Sequence, residues 1–376
     1  MKLLNLKRGL AIITSGLALA FGFSTGIVSS QTTTQEEKTV EQTHKNIKAL
    51  TGMPDSQFRP MMNYFNAELG VQCNFCHVQK DGKMDFVSDE HEHKGIARNM
   101  IKMVQDINKN TFEGKVTVSC QTCHQGRPIP AGVPSFPLAP GMAPRPPAAL
   151  GAAPGTPPPA PMSADQVWEK YVQAVGGKEA IAKAANRSFK GSFEGGNGMK
   201  MNLDFKTQGN KIYSVLTNDK GEETTSGFDG AGGWTKTAAG TRALNPNELN
   251  DAKNLSLILS AIKLSEPYPK LETGRKTKIG DREANVLRFE QGKIRSQLFF
   301  DAETGLLLRR IDVLQTFLGG IPTQYDFEDY KDVDGVKLPM TIRVFSVERG
   351  AAGTRKFTEV KHNVTIDAAQ FAAPAK

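Results

Sequence analysis

The chain has 376 residues, 39% of them hydrophobic and 23% charged, and a formal net charge of +8. That length suffices for two ordinary domains, each burying its own core. The charge is thinly spread: residues 31–127 hold 12 basic and 12 acidic residues, those after Ser163 hold 31 and 27, and no basic run occurs. Nucleic-acid binding needs Lys and Arg clustered on one face, so it is excluded as a function class.

Residues 1–30 open on the basic MKLLNLKR, continue through the uncharged GLAIITSGLALAFGF, and reach the small residues Val28, Ser29 and Ser30. This is the layout of a secretory signal peptide. The apolar run is shorter than the ~20 residues that span a bilayer comfortably. The small residues up to Ser30 lengthen it, which leaves an uncleaved anchor, and so membrane association, as the other reading. Either way the rest of the chain is expected outside the cytoplasm, in the periplasm or exposed on the envelope. Residues 31–43 are polar and are expected to be a mobile lead-in.

Residues 44–127 read as mainly helical and contain every cysteine in the chain. The first pair lies in LGVQCNFCHVQK, as Cys73 and Cys76 followed by His77. The second lies in CQTCH, as Cys120 and Cys123 followed by His124. Four exported cysteines would ordinarily form two disulfides. A disulfide between residues three apart on one helical turn is strained and closes almost no loop, so it would stabilise little. A shared zinc ion would need the two pairs to converge, usually across ~12–20 residues, and here 43 residues separate Cys76 from Cys120. Cys-x-x-Cys-His is instead the attachment pattern of c-type haem. Two thiols add across the vinyl groups on one edge of the ring, and the next residue brings its imidazole under the iron. Two such motifs predict two covalently attached c-type haems.

Each iron then needs a sixth ligand or keeps an open position. Methionine raises the potential and blocks substrate, which suits electron transfer. Upstream of the first motif, Phe58, Met61, Met62, Phe65 and Leu69 form an apolar stripe at helical spacing. Upstream of the second, Ile96, Met100, Met103, Val104 and Ile107 do the same. Periodicity does not choose between ligand and packing within either methionine pair. His91 and His93 could give bis-histidine coordination, but their charged neighbours favour a solvated helix start. His44 and His362 read as surface residues.

Residues 128–162 hold thirteen of the 21 prolines. That density forbids helix and sheet and predicts an extended, semi-rigid spacer that would let the haem-bearing head reach partners. Residues 163–376 begin with a short helix carrying Trp168 and Tyr171, then alternate as strands do in MKMNLDFKT, NKIYSVLT, REANVLRFE, KIRSQLFFD and VKLPMTIRVFS. One apolar helix interrupts them near residues 249–264. The expected fold class is multidomain: a mainly α haem-binding domain, then an α+β domain on a curved antiparallel sheet or half-barrel.

LGVQCNFCH, ARNMIKMVQDINKN and VSCQTCHQGRPIP resemble the cytochrome c subunit of photosynthetic reaction centres, over residues 53–130. That family pairs each methionine-bearing helix with a Cys-x-x-Cys-His helix. The resemblance implies Met62 and His77 as ligands of one iron, and Met100 and His124 of the other. It departs from the family in having two motifs rather than four. More loosely, FFDAETGLLLRR and YKDVDGVKLPMTI resemble lipoprotein-carrier half-barrels of the bacterial envelope, which implies a fold and, beyond a packed core, a lipid-like ligand.

These readings lead to a dihaem electron carrier that passes single electrons between a donor and an acceptor redox protein, and not to a substrate-converting enzyme. The alternatives are a dihaem oxidoreductase such as a peroxidase with one open iron, and a ligand-binding β-domain with the haems as its redox sensor.

Overall fold

The structure, a computed structural model, describes residues 37–130, 162–184, 186–196, 198–245, 248–249, 251–253, 255–256, 270–347 and 353–374. The expected leader, most of the expected proline-rich spacer and residues 257–264 of the expected apolar helix lie outside the described residues.

The cysteine-bearing part is built on α1 (Val40–Thr43), α2 (Phe58–Leu69), a hairpin of β1 (Val78–Lys80) and β2 (Lys83–Asp85), α3 (Glu92–Thr111) and α4 (Cys120–His124). Part of the expected lead-in is packed. Val40 is fully buried and its amide donates to the Met53 carbonyl at 2.8 Å, while Thr39 bridges to Pro54. Helix α2 ends at Gly70, whose φ of +65° is the left-handed conformation that favours glycine at this position. Its buried face is Pro60, Met61, Tyr64 and Glu68, and that of α3 is Ile101, Val104 and Asn108. These faces differ from the expected stripes. Ile96, Met100 and Met103 look outward, because Ile101 and Val104 already fill the contact with α2's side of the core.

After the spacer, α5 (Ala164–Ala174) starts on a capping box. Gln166 N donates to Ser163 Oγ at 3.2 Å, and Ser163 N donates back to Gln166 Oε1 at 2.9 Å. A short α6 (Gly177–Lys183) follows. The strands come in two groups. The first comprises β3 (Asn186–Glu194), β4 (Lys200–Gln208), β5 (Lys211–Thr217), β6 (Glu223–Phe228), β7 (Gly233–Thr237) and β8 (Gly240–Ala243). The second comprises β9 (Glu272–Thr273), β10 (Thr277–Ile279), β11 (Arg282–Gln291), β12 (Ile294–Asp301), β13 (Leu307–Thr316), β14 (Gly319–Val333), β15 (Val336–Ser346) and β16 (Gly353–His362).

All of them join one antiparallel sheet, ordered β10-β11-β12-β13-β14-β15-β16-β3-β4-β5-β6-β7-β8, with β9 beside β11. The last strand, β16, pairs with the first, β3, and so joins the two groups. Alternation along the strands turns Phe189, Leu203, Phe205, Ile212, Phe289, Phe327 and Ile342 into one core, which α5 and α6 cover with Trp168, Tyr171, Val172 and Ile181.

The cysteine-bearing head packs against the sheet. The turn of the β13–β14 hairpin enters its core: Leu318, fully buried, and Ile321 pack in one cluster with Val40, Met61, Tyr64, Ile101 and Val104. Burying a leucine completely is worth ~1.5–3 kcal/mol, so pulling the head away would expose a sizeable apolar contact.

Candidate haem-binding site

The second motif sits on α4, entered through the segment 112–119. Buried Asn108 shapes that segment: its Nδ2 donates to the Val118 carbonyl at 2.7 Å, and its Oδ1 accepts from the amides of Thr117 and Val118 at 2.9 Å. One side chain thus replaces three backbone partners that an irregular segment would otherwise lack. Ser119 precedes Cys120, and its hydroxyl donates to Glu68 Oε1 at 3.1 Å. At the other end of the motif, His124 Nδ1 lies 3.0 Å from the Arg127 carbonyl. An Nδ1–H donated to a carbonyl fixes the tautomer and leaves Nε2 as the free lone pair, the arrangement typical of metal-ligating histidine.

The first motif differs from the expected helix. Cys73–Phe75 is a single 3-10 turn, and Cys76 and His77 follow it into the β1–β2 hairpin. The reason is the short connection: Gly70 has already ended α2, and Gln72 is extended. Asn66 Nδ2 reaches Cys73 Sγ at 3.6 Å. His77 packs edge-on to Phe86, with centroids 5.1 Å apart, and its Nδ1 is buried without a partner among the described residues. Burial, then the charges of Lys94 and Arg98, hold His77 below the usual histidine range, which favours the neutral imidazole that a metal requires.

The two motifs are locked together. Gly126 N donates to the Glu68 carbonyl at 2.8 Å, and a Cβ on Gly70 would run into the Gly126 carbonyl oxygen. No disulfide joins any of the four cysteines, and Cys73 and Cys123 are exposed. Burial, reinforced by Glu68, pushes the Cys120 thiol up to about 12, and burial also raises Cys76. Among the described residues no three His, Cys, Asp or Glu side chains come together to hold a metal ion.

The first methionine pair separates and the second does not. Met61 is fully buried in the core, whereas Met62 is half-buried at its edge. Met100 and Met103 are both exposed, at 42% and 45%, beside Ile96 on the same helix. His91 and His93 do not form a solvated helix start. His93 stacks on Phe75 of the first motif, centroids 4.2 Å apart, with Nδ1 3.2 Å from the Phe75 carbonyl, and His91 Nδ1 is buried without a partner among the described residues. Phe75 and Phe86, spaced around the cysteines, were the sequence signal for this packing. His44 is on the surface, 2.9 Å from Asp55. His362 is not, since its side chain is only 4% exposed.

Two residues near the motifs were not anticipated. Glu68 is 2% exposed, and Tyr64 beside it is held well above the usual phenol range by burial and by Glu68. A charged residue at the buried i+4 position after Tyr64 is the signal that marks them.

The residues present fit covalent haem. Paired thiols stand next to a tautomer-fixed histidine at the second motif and a neutral histidine at the first. Large apolar side chains that a globular core would bury (Phe86, Val87, Ile96, Met100, Met103 and Val116) are exposed around the two motifs.

Residues 20–141 match the family described as photosynthetic reaction centre cytochrome C subunit. Cytochrome c-554 of Chloroflexus aurantiacus is 36% identical over 90 residues, covering 22% of this chain and 20% of its own. The photosynthetic reaction center cytochrome c subunit of Roseobacter denitrificans is 28% identical over 104 residues, covering 26% of this chain and 28% of its own. This chain therefore spans about a quarter of the length of these curated relatives. A solved LolA superfamily protein of Nitrosomonas europaea overlaps 56% of this chain and 98% of its own at 11% identity, with a TM-score of 0.42. A DUF1329 family protein of Desulfovibrio piger does so over 55% and 96% at 12% identity, with a TM-score of 0.41. Likenesses that distant add no functional reading. The first third of the chain is thus a segment similar to photosynthetic reaction centre cytochrome c subunits, carried on one chain with an antiparallel sheet that this family match does not reach.

Proposed function

We propose that the protein is a dihaem c-type cytochrome of the bacterial cell envelope that passes single electrons between redox partners. Bound haem supplies a reversible one-electron iron couple. Cys73 and Cys76 would attach one haem and Cys120 and Cys123 the other; His77 and His124 would each offer an imidazole to an iron, and Met62 and Met100 a thioether. The observation that carries the reading is the His124 Nδ1 contact to the Arg127 carbonyl, which presents Nε2 at the end of a Cys-x-x-Cys-His helix. The half-buried Met62 and exposed Met100 support the ligand assignment, because a thioether free of the core can reach an iron and Met61 cannot. Export rests on the leader in residues 1–30.

A second reading applies to the first iron alone. His93 orients its imidazole on the Phe75 carbonyl by the same device as His124, and so competes with Met62 as the sixth ligand.

The test is the mass of the full chain expressed with haem-maturation machinery. Two haems per chain are expected, falling to one in Cys76→Ser and in Cys123→Ser. No haem, or loss of both in either variant, would overturn the dihaem assignment.

A further inference from the structure

The head of the β-rich domain's first strand carries a group that its fold does not explain. Arg187 of β3 is 2% exposed, among the largest fully buried side chains in the protein, and its Nε and Nη1 have no hydrogen-bond partner among the described residues. Its cross-strand partner on β16 is His362, whose side chain is 4% exposed and whose Nε2 is likewise without a partner. On its other side Arg187 faces buried Thr207 of β4. Directly paired residues put their side chains on the same face ~5 Å apart, so three unpartnered nitrogens on two residues lie side by side.

Charge makes the cluster unusual. The phenol of Tyr171 is the neighbour that acts electrostatically on Arg187, and no carboxylate of the described residues does so. Asp334 is 3.8 Å from His362 Nδ1, but it is 77% exposed and sits on the far nitrogen. Burial brings Arg187 down to about 10, which still leaves it protonated near neutrality. An unpaired buried guanidinium is strongly destabilising, and each orphaned donor adds a desolvation cost. The planar fork of arginine matches a two-oxygen acceptor, which would satisfy Nε and Nη1 together, with His362 Nε2 as a third donor.

We propose that Arg187 and His362 form a buried oxyanion site that takes a carboxylate or phosphate group, either as a free ion or as the head of a small amphiphile.

Thermal unfolding of the full-length haem-loaded protein tests this, in chloride buffer and then with inorganic phosphate or octanoate at matched ionic strength. A saturating rise in Tm of at least ~3 °C over chloride is expected. A rise with phosphate alone assigns a free oxyanion, and one with octanoate alone assigns an amphiphile head. Arg187→Met should lose the rise while melting higher than the parent in chloride, because it removes a buried charge. Should that variant not fold, Arg187→Lys, which keeps charge but not the fork, should move the saturation midpoint at least tenfold. No rise with either anion, or a rise that these variants leave unchanged, would overturn the site and leave the cluster to water.

Discussion

Gly319, at the turn of the β13–β14 hairpin, lies directly against the Tyr64 ring of the cysteine-bearing head. A Cβ built on Gly319 would stand 2.7 Å from the Tyr64 hydroxyl and 3.1 Å from Cβ of Ser119, the residue before Cys120, and its φ is +149°. The sheet therefore reaches within one residue of the second motif. Gly319→Val should destabilise by ~1–3 kcal/mol through overpacking, and Leu318→Ala by ~2–5 kcal/mol through the cavity left behind. Denaturant unfolding followed through a haem band and through far-UV dichroism checks this. Coincident transitions are expected in the parent, with the haem band melting first in Gly319→Val. Gly232, whose Cβ would meet nothing, is the control.

Within the first methionine pair the two side chains should behave differently. Met61→Ala removes a fully buried side chain and should cost ~2–5 kcal/mol, with the optical signature of methionine ligation intact. Met62→Leu and Met100→Leu should barely change stability and should each remove half of that signature. If Met62→Leu leaves the spectrum unaltered, His93 is the ligand of the first iron.

That contrast marks how far the sequence could be read. The four cysteines and two histidines stood out because the attachment pattern of c-type haem is a local spacing that does not depend on the fold. The methionines were not separable, since Met61 and Met62 are adjacent and both fit an apolar stripe. The helix phase was settled by Pro60, Tyr64 and Glu68, and a buried glutamate is invisible to a hydrophobic pattern. The strands of residues 186–362 were legible from alternation and their turns. The docking of Leu318 on Val40 and Met61 was not, because it joins residues more than 250 positions apart. His362 read as a surface residue for a similar reason: it lies between Lys361 and Asn363, and only its pairing with Arg187 puts it inside.

Asp89 should make the head acid-sensitive. Lys48 Nζ at 2.6 Å, Asn46 Nδ2 at 2.7 Å and Arg98 Nη1 at 2.9 Å converge on its carboxylate and hold it far below the usual carboxylate range. The folded value is depressed, so this stabilisation is complete above the unfolded value of about 4 and is lost as pH falls from there through the folded value. The group is exposed to solvent, so salt should weaken the effect. Stability measured from pH 6 to pH 3 should fall less steeply in Asp89→Asn than in the parent, and less steeply for the parent in high salt.

The buried pair Arg310 and Asp312 should resist single substitutions. Arg310 Nε contacts both Asp312 oxygens, at 2.9 and 3.0 Å, and Ser296 Oγ donates to Asp312 Oδ1 at 2.6 Å. Asp312→Ala removes these contacts to the buried guanidinium and should cost ~3–5 kcal/mol, much of which Arg310→Met in the same chain should restore. Chemical denaturation of the two variants checks both.

The measurement that tests the central claim most directly is a potentiometric titration of the haem-loaded full-length protein, followed by its absorption spectrum. Two one-electron steps are expected, with both irons low-spin throughout, the red-region band of methionine-bound ferric iron present, and no spectral response to peroxide. A high-spin iron, or a spectrum that peroxide alters, would contradict a carrier with both irons capped and establish an open site for substrate.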